Sequence, residues 1–316
     1  MTPLVTLRAL RVEYLQSGGA VEGLGGVNLD ISPGERLAVI GESGSGKSTF
    51  ALALAGLLPD NAKVGGRIEW PVLGQTPIPG RDIGFVFQDP SASLDPVLTV
   101  GEQIAEVARA HLGLTWPQSY EVAAELLERV HLPDPHALRH AFPHQLSGGQ
   151  RQRVAIAAAI AGKPRLLIAD EATSAVDTII QAEIVTLLDQ LVWESKMTLI
   201  FVTHDIALAS ELADRVAVFY GGRLVEAGNL RQVLTAPRHP YTSALISSHI
   251  GLDAVPFQAL PVVIGQLPDL AHMPQGCRFA PRCAFVKAEC HVEPYWRGRV
   301  GDGAACVLSR SSDISA

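Results

Sequence analysis

The chain has 316 residues, a net charge of −7 and a pI near 5.8, and 47% of its residues are hydrophobic. This length allows one large domain or a domain with an appendage, and the hydrophobic content is enough for a packed core, which excludes wholesale disorder. The net negative charge argues against nucleic-acid binding, because proteins that bind nucleic acids carry an excess of basic residues on one face.

No stretch of the sequence reaches the roughly 18–20 apolar residues that a membrane-spanning helix needs. The longest apolar run, residues 154–162, ends at Lys163. Residues 1–15 alternate like a strand and do not resemble a secretory leader. We therefore expect a cytoplasmic protein, which would need other subunits to supply any membrane-spanning part.

The predicted elements begin with a small antiparallel sheet. Apolar and polar residues alternate in residues 5–12 and again in residues 27–31, and a Ser-Gly-Gly turn at residues 17–19 separates the two runs. The continuous apolar run 36–40 predicts a buried strand, and residues 48–57 predict the helix that follows it.

The middle of the chain predicts an α/β body with a helical insertion. Residues 99–145 are helix-rich, with Leu126, Leu127 and Val130 at helical spacing. Strands at 166–169 and 198–202 flank a helix at 179–192, and this alternation predicts a parallel sheet. Residues 215–226 predict a hairpin. We place a boundary near residue 250, because the chain beyond it is rich in proline, glycine and cysteine.

A glycine-rich octet follows the first buried strand. Residues 41–48 read Gly-Glu-Ser-Gly-Ser-Gly-Lys-Ser and fit the pattern G-x-x-x-x-G-K-[ST]. Such a loop points its N–H groups inward, and the helix after it adds the positive end of its dipole, so the octet predicts a phosphate site. Lys47 would reach the β- and γ-phosphates, and Ser48 would ligate Mg²⁺. A loop that only turns the chain is the alternative, but the strand before it and the helix after it favour nucleotide binding.

Two acids end a later apolar strand. Asp170 and Glu171 follow residues 166–169, and ligands of parallel sheets bind at the carboxyl ends of the strands. Asp170 is suited to hold Mg²⁺, and Glu171 to polarise the attacking water as general base. A capping pair at a helix start is the alternative, which the phosphate loop disfavours. His204 follows another apolar strand and could contact the γ-phosphate and orient the water, whereas a lone histidine there is more often structural.

Residues 146–153 read Leu-Ser-Gly-Gly-Gln-Arg-Gln-Arg, which resembles the signature motif of ATP-binding cassettes, the ATPases of ABC proteins. A capped helix after a glycine turn would explain Ser147 and the two glycines but not the whole octet. Other family motifs occur in order: Gln88 matches the Q-loop glutamine, and residues 174–177 match the D-loop. Tyr14 fits the aromatic that stacks on adenine, with a core tyrosine as the alternative. The resemblance runs from about residue 4 to 250.

The resemblance implies an ABC-type P-loop NTPase of the α/β class. This fold has a RecA-like parallel-sheet core, an antiparallel β subdomain and a helical subdomain at about 99–162. The cassette would span residues 1–250, and a Cys-rich C-terminal extension would span 251–316.

The resemblance also implies a mechanism in which two cassettes sandwich two ATP molecules. ATP binding closes the dimer, and hydrolysis with product release reopens it. Gln88, Glu171 and His204 would be catalytic, and Ser48, Gln88 and Asp170 would hold Mg²⁺. The residues expected to bind the chain's own ATP are Tyr14, Gly41, Ser43, Gly44, Ser45, Gly46, Lys47, Ser48, Thr49, Gln88 and Asp170. The signature residues expected to serve the partner's ATP are Ser147, Gly148, Gly149 and Gln150.

Residues in the last quarter of the chain indicate which subgroup of the family the chain resembles. Residues 238–242 (Arg-His-Pro-Tyr-Thr), 276–279 and 282–283 are similar to the ATP-binding subunits of oligopeptide, dipeptide and nickel importers, and residues 89–96 also fit that group. The segment 70–81 is shorter than the usual insertion of the group, which leaves the solute open. The resemblance implies an importer of peptides or similar small solutes, with nickel complexes as an alternative. Its other parts would be a second cassette chain, two membrane permease subunits and an extracytoplasmic solute-binding protein, with this chain at the cytoplasmic face of the inner membrane.

All four cysteines lie near the end of the chain, at Cys277, Cys283, Cys290 and Cys306. A reducing cytoplasm disfavours disulfides, and zinc sites more often show C-x₂-C pairs, which are absent. A [4Fe-4S] cluster suits four cysteines in a loop-rich segment, and similarity to cluster-bearing family members implies one. Zinc and no metal are the alternatives. A cluster would have a structural role, because binding it would stabilise the folded form of residues 251–316.

Two other functions compete with import. Soluble ABC ATPases that act on DNA or ribosomes usually carry two cassettes, long coiled coils, or basic and zinc-bearing insertions, whereas this chain has one cassette and no sustained heptads. A cassette of an exporter is the second alternative. Exporter cassettes are often fused to membrane helices, and the tail also argues against an exporter.

Overall fold

The computed structural model describes residues 2–174, 176–248, 263, 265–266, 268–269 and 273–308. The chain forms two units, one made of Met1–Gly74 and Thr203–Ala316 and the other of Gln75–Val202. No helix in the described ranges combines the length and the hydropathy that a bilayer crossing needs. The predicted boundary near residue 250 lies outside the described residues, so a division at that point stays a prediction.

A three-stranded antiparallel sheet opens the first unit. Strand β1 (Val5–Gln16) lies between β2 (Gly19–Ile31) and a later strand, β4 (Ala62–Glu69). The register shifts between Leu7 and Leu10, and Ala9 has a φ of 50°, so β1 bulges at this point. The predicted small sheet is confirmed. Strand β2 begins well before the predicted residue 27. The sequence did not predict its first half because glycines interrupt the alternation of apolar and polar residues there.

The second sheet of this unit joins strands from distant parts of the chain. Its members are β3 (Arg36–Ile40), β8 (Arg215–Tyr220), β9 (Arg223–Asn229), β10 (Arg297–Arg299) and β11 (Asp302–Ala304). Strands β3 and β8 pair in parallel, while the β8–β9, β9–β11 and β11–β10 pairs are antiparallel. The predicted hairpin is therefore confirmed. Residues 273–308, called the cysteine tail below, join the same sheet through β11.

The described part of the first unit also contains the α-helices α1 (Lys47–Ala55), α8 (Ile206–Leu212), α9 (Leu230–Thr235) and α10 (Pro240–Ser247). Part of its core is an aromatic cluster. The rings of Tyr220 and Tyr241 have centroids 4.6 Å apart, and Phe279 lies 5.2 Å and 5.4 Å from them. Since Phe279 is only 3% exposed, the tail supplies part of this core.

The sheet of the second unit is parallel, as the strand–helix–strand pattern predicted. Strand β6 (Leu166–Asp170) pairs with β5 (Ile83–Val86) on one side and with β7 (Thr198–Thr203) on the other. Helix α7 (Thr178–Ser195) connects β6 to β7. All five residues of β6 are buried, which explains why its sequence is continuously apolar up to the acid that ends it.

The helix-rich insertion is also confirmed in the second unit. It contains α2 (Pro90–Ser93), α3 (Val100–Leu112), α4 (Trp116–Arg129), α5 (Pro135–Leu138) and α6 (Gly148–Ile160). Thr99 and Glu102 form a capping box at the start of α3, with the Thr99 N–H donating to Glu102 Oε2 at 2.7 Å. Pro117 and Pro135 lie in the first turns of α4 and α5, where proline is tolerated.

Candidate functional site

The glycine-rich loop lies in the first unit, between β3 and α1. Gly46 directly precedes α1 with a φ of 101°, a conformation that favours glycine. A Cβ on Gly46 would lie 2.8 Å from the carbonyl oxygen of Gly23, so the available space also requires glycine. Because glycine has no side chain to cap the helix, the first N–H groups of α1 can serve an anion. The structure places the loop in the strand–loop–helix context that a phosphate site needs.

Lys47 folds back over this loop. Its Nζ donates to the carbonyl oxygens of Gly41 and Glu42, at 3.0 Å each, and the residue is only 4% exposed. Ser45 is fully buried, and its hydroxyl has no hydrogen-bond partner among the described residues. The ammonium is therefore held over the glycine loop, where a phosphate group could compete for it with carbonyl oxygens.

Two further predicted residues belong to the first unit. The hydroxyl of Tyr14, on β1, lies 3.0 Å from Oγ1 of Thr49, which is on α1. The predicted adenine-stacking ring thus lies beside the helix that follows the phosphate loop. His204 directly follows β7 and has an exposed side chain. The roles of Tyr14 and His204 stay predictions.

The predicted general base lies in the second unit, next to the predicted Q-loop glutamine. Nε2 of Gln88 donates to Oε2 of Glu171 at 3.1 Å. Glu171 has a φ of 46°, and its N–H donates to the carbonyl oxygen of Val202 at 3.0 Å. A left-handed conformation is costly for a glutamate and is concentrated at functional sites. Asp170 precedes it at the carboxyl end of β6 and is 6% exposed.

The signature residues begin α6 in the second unit. Ser147 and Gln150 form a capping box, in which the Gln150 N–H donates to Ser147 Oγ at 3.2 Å. A Cβ on Gly149 would lie 2.9 Å from Cγ2 of Ile180 on α7, so packing requires glycine at this position. A Cβ on Gly148 would meet nothing nearer than a methyl group at 4.0 Å among the described residues. Packing inside this chain therefore explains Gly149 and leaves Gly148 unexplained.

The D-loop connects the carboxylates to α7. Ser174 Oγ donates to the carbonyl oxygen of Glu171 at 3.0 Å, and Asp177 caps α7 by accepting from the Ile180 N–H at 3.1 Å. Ala175 lies outside the described residues. The second unit thus places Gln88, the carboxylates and the D-loop close to one another, while the first unit holds the phosphate loop beside Tyr14.

All four cysteines line one small cavity in the first unit. The cavity has a volume of about 10 Å³, room for one water-sized group, and His239 also lines it. The four thiols are free, with Cys290 and Cys306 buried. In the described ranges, however, no three His, Cys, Asp or Glu side chains are grouped closely enough to hold a metal ion. The structure brings the cysteines together but does not arrange them around an ion.

The cavity offers the donors for a metal group bound through cysteine thiolates, but it has little room for one. Burial raises the pKa of Cys277 to about 11, so a metal would have to displace the thiol proton. His239 is buried, which lowers its pKa to about 3, and its Nδ1 accepts a hydrogen bond from the Tyr241 N–H at 3.1 Å. The proton of the neutral ring therefore lies on Nε2, which is buried and has no partner among the described residues. Four thiols are the donor type that a thiolate-bound metal group needs, but the cavity is too small for a four-iron cluster unless the thiols move apart.

Three residues around the tail have structural roles that the sequence did not predict. His239, Tyr241 and Arg282 lie inside the tail segments that indicated the importer family, and no role was assigned to them. Arg282 forms an ion pair with Glu42 of the phosphate loop, 240 positions away in the sequence. No local pattern predicts such a contact. The only available signal was a basic residue next to a cysteine.

Two family models match the sequence. A model described as ABC transporter matches residues 24–174, and a model described as the C-terminal region of oligopeptide/dipeptide transporters matches residues 225–290. Two Brucella melitensis proteins, both provisionally named peptide import ATP-binding proteins, are similar along most of their length. BMEII0206 is 44% identical over 301 residues, covering 92% of this chain and 90% of the relative. BMEII0863 is 39% identical over 327 residues, covering 96% and 97%.

Solved structures of cassettes share the fold. A dimeric ATP-binding cassette, MJ0796, in a post-hydrolysis state with ADP and Pi, has a TM-score of 0.62 and 30% identity, covering 72% of this chain and 99% of that one. CbiO1 from Clostridium perfringens, part of an ABC transporter complex, has a TM-score of 0.61 and 30% identity, covering 74% and 92%. With relatives this similar over nearly its whole length, the chain belongs to the ATP-binding cassette family of ABC transporters.

Proposed function

We propose that this chain is the ATP-hydrolysing subunit of an ABC importer that takes up peptides or similar small solutes. The observation that carries the hydrolytic part is the hydrogen bond from Gln88 to Glu171, on a glutamate held in a strained conformation at the end of a parallel strand. The match to the oligopeptide/dipeptide C-terminal region and the names of the Brucella relatives support peptides as the solute. Nickel complexes are a less favoured alternative.

In the proposed reaction, the N–H groups of the phosphate loop and Lys47 bind the phosphates, and Tyr14 stacks on adenine. Glu171 accepts a proton from the water that attacks the γ-phosphorus, while Gln88 orients the carboxylate and His204 contacts the γ-phosphate. The bond between the γ-phosphorus and the bridging oxygen breaks, which gives ADP and inorganic phosphate.

The proposed Mg²⁺ ligands are those predicted from the sequence: Ser48, Gln88 and Asp170. Their hydroxyl, amide and carboxylate oxygens are the donors that this ion prefers, and Asp170 is a buried carboxylate at the carboxyl end of its strand. When bound with ATP, Mg²⁺ would neutralise charge on the β- and γ-phosphate oxygens.

Cassettes of this family dimerise and work with membrane permease subunits. We propose that Ser147, Gly148, Gly149 and Gln150 contact the ATP of a partner cassette. Such a contact would explain why Gly148 is a glycine although a Cβ there would meet nothing nearer than 4.0 Å among the residues that the structure describes. A solute-binding protein and a position at the cytoplasmic face of the inner membrane complete the proposal.

For the cysteine tail we propose a [4Fe-4S] cluster on Cys277, Cys283, Cys290 and Cys306, with zinc as the alternative. The cavity that the four thiols share supports this proposal, and the thiols would have to move apart to hold four irons. Metal analysis of protein purified without oxygen separates the possibilities. About four iron and four sulfide per chain would support the cluster, one zinc would support the alternative, and neither would leave a metal-free thiol cavity.

The variant Glu171→Gln tests the hydrolytic assignment. In the purified transporter complex, we expect ATP binding to persist and hydrolysis to fall by about 10²-fold or more, because the general base is lost. The dimer should stay closed with ATP bound. Glu194→Gln, in an exposed pair with Arg129, is the control and should keep normal turnover. Near-normal hydrolysis by Glu171→Gln would show that another group is the base.

Uptake by vesicles that contain the reconstituted complex tests the solute. Short peptides should accumulate in an ATP-dependent way when the binding protein is present. Accumulation of nickel complexes without any peptide uptake would contradict the peptide assignment while leaving the ATPase assignment intact.

A further inference from the structure

Arg282 of the cysteine tail makes an unusually complete set of contacts for an arginine. Its Nη1 donates to Glu42 Oε2 at 2.7 Å and its Nη2 to Glu42 Oε1 at 3.0 Å, which makes a bidentate ion pair. Nη1 also donates to the Tyr220 hydroxyl at 3.3 Å, and Nη2 to the carbonyl oxygens of Val263 and Gly265 at 3.2 Å and 3.0 Å. The side chain is only 5% exposed, so the charge is held in a fixed, largely water-free setting.

The partner, Glu42, is the second residue of the phosphate loop. Its N–H donates to the Tyr241 hydroxyl at 2.8 Å, and its carbonyl oxygen accepts from Lys47 Nζ at 3.0 Å. Arg282 holds its carboxylate. The backbone and the side chain of Glu42 are thus fixed by α10, by the loop lysine and by the cysteine tail.

This anchoring matters because the loop is conformationally permissive. Gly41, Gly44 and Gly46 have φ values of 153°, 76° and 101°, and glycine backbones lose the most freedom when they are fixed. A loop that binds phosphate through its N–H groups gains affinity when those groups are already in place. The contacts from outside the loop therefore contribute to preorganisation as well as to stability.

We infer that Arg282 is a positioning residue for ATP binding, which acts through Glu42 to hold the first turn of the phosphate loop. The inference rests on the proposed function and adds a role for the tail. Because coupling between two sites is reciprocal, ATP binding should also stabilise the tail around Arg282.

The first test compares Arg282→Gln with the wild-type full-length chain. We expect the Kd for ATP, measured with a fluorescent ATP analogue, to rise about fivefold or more. In the transporter complex, KM for ATP should rise with it, while kcat at saturating ATP should change less than about twofold, since no reacting atom is touched. Arg282→Lys keeps the charge without the bidentate geometry, so its Kd for ATP should lie between those of the wild type and Arg282→Gln.

The matched control is Arg238→Gln. Arg238 also fastens the tail, because it donates to Asp302 at 2.8 Å and to the Ala227 carbonyl oxygen at 2.9 Å, and neither acceptor belongs to the phosphate loop. We expect this variant to lower the melting temperature with little change in ATP affinity. Equal losses of affinity in the two variants would mean that the tail acts only by general stability, which would overturn the inference.

A second test needs no variant and therefore does not depend on folding of Arg282→Gln. Hydrogen exchange of the wild-type chain should show slower exchange at residues 278–283 when ATP is bound. Unchanged exchange there, with clear protection of the phosphate loop, would contradict the coupling. If the wild-type chain bound no ATP, the proposed function itself would fail. If it bound and hydrolysed ATP while Arg282→Gln bound equally well, only the positioning role would fail.

Discussion

The phosphate loop and the cysteine tail lie in the same unit, but they depend on different information in the sequence. The loop is contiguous, and most of its binding groups are backbone N–H groups whose direction follows from glycines and the helix behind them. The tail spreads its cysteines over residues 277–306, and its arginines contact residues 240 and 256 positions away. A local motif can be interpreted without the rest of the chain, whereas the role of the tail is visible only in the folded structure.

The largest expected effect comes from Lys47→Ala, which removes the positively charged ammonium group from the phosphate loop. Hydrolysis should fall by about 10³-fold, because no other loop side chain brings a positive charge to the phosphates. Phosphate release by the transporter complex measures this loss. Without ATP, hydrogen exchange in the tail should stay close to that of the wild type, because the contact between Arg282 and Glu42 does not involve the Lys47 side chain.

Lys63→Ala is the control for that experiment. Lys63 is an exposed lysine on β4, and its removal should leave turnover normal. Residual activity of a tenth or more in Lys47→Ala would contradict the role of its ammonium in the phosphate site.

The next effect comes from Phe279→Ala, which removes packing from the tail. Phe279 is 3% exposed and packs on Tyr220 and Tyr241, so its loss should lower the free energy of unfolding of its unit by about 3 kcal/mol. Urea denaturation followed by tryptophan fluorescence measures the change. The value of kcat at saturating ATP should stay near that of the wild type, since the ring touches no loop atom that binds phosphate.

Tyr295→Ala provides the comparison within the tail. Its side chain is 70% exposed, so the change in unfolding free energy should stay within about 0.5 kcal/mol. A large fall of kcat in Phe279→Ala without a matching loss of stability would show that the tail takes part in hydrolysis. The loop and the tail would then not differ in the way described above.

The same contrast explains what could be predicted from the sequence. Strands β3, β6 and β7 were predicted because a buried parallel strand is continuously apolar, and the phosphate loop was predicted from its spacing. Gln88 donates a hydrogen bond to Glu171, and the catalytic roles of both residues stay predictions. Strand β4 was missed because its glycines and charged residues hide the alternation, and β10 and β11 are three residues long each.

The contacts of the tail could not be predicted for a different reason. The pairing of Arg282 with Glu42 and the unused Nε2–H of His239 depend on which distant segments meet, and no periodicity in the sequence carries that information. The cysteines were predicted to share one site. The structure places them on a common cavity without the spacing of a metal site.

The smallest of the three effects, from Gly46→Ala, tests whether the backbone does the binding in the loop. Alanine at a φ of 101° is strained, and its Cβ would lie 2.8 Å from the Gly23 carbonyl oxygen, so the loop must shift. The strain should cost about 2 kcal/mol, and affinity for ATP should fall by about 10-fold because the N–H groups no longer converge. Titration with a fluorescent ATP analogue and a melting curve measure the two effects.

Gly56→Ala separates strain from function. Gly56 ends α1 with a φ of 69°, but a Cβ there would meet nothing within 4 Å among the described residues. This variant should lose about 1 kcal/mol of stability and keep its affinity for ATP. If both variants lost affinity equally, the affinity of the loop for ATP would depend on stability alone. A loss confined to Gly46→Ala would show that loop geometry, and not merely a folded unit, sets the affinity for phosphate.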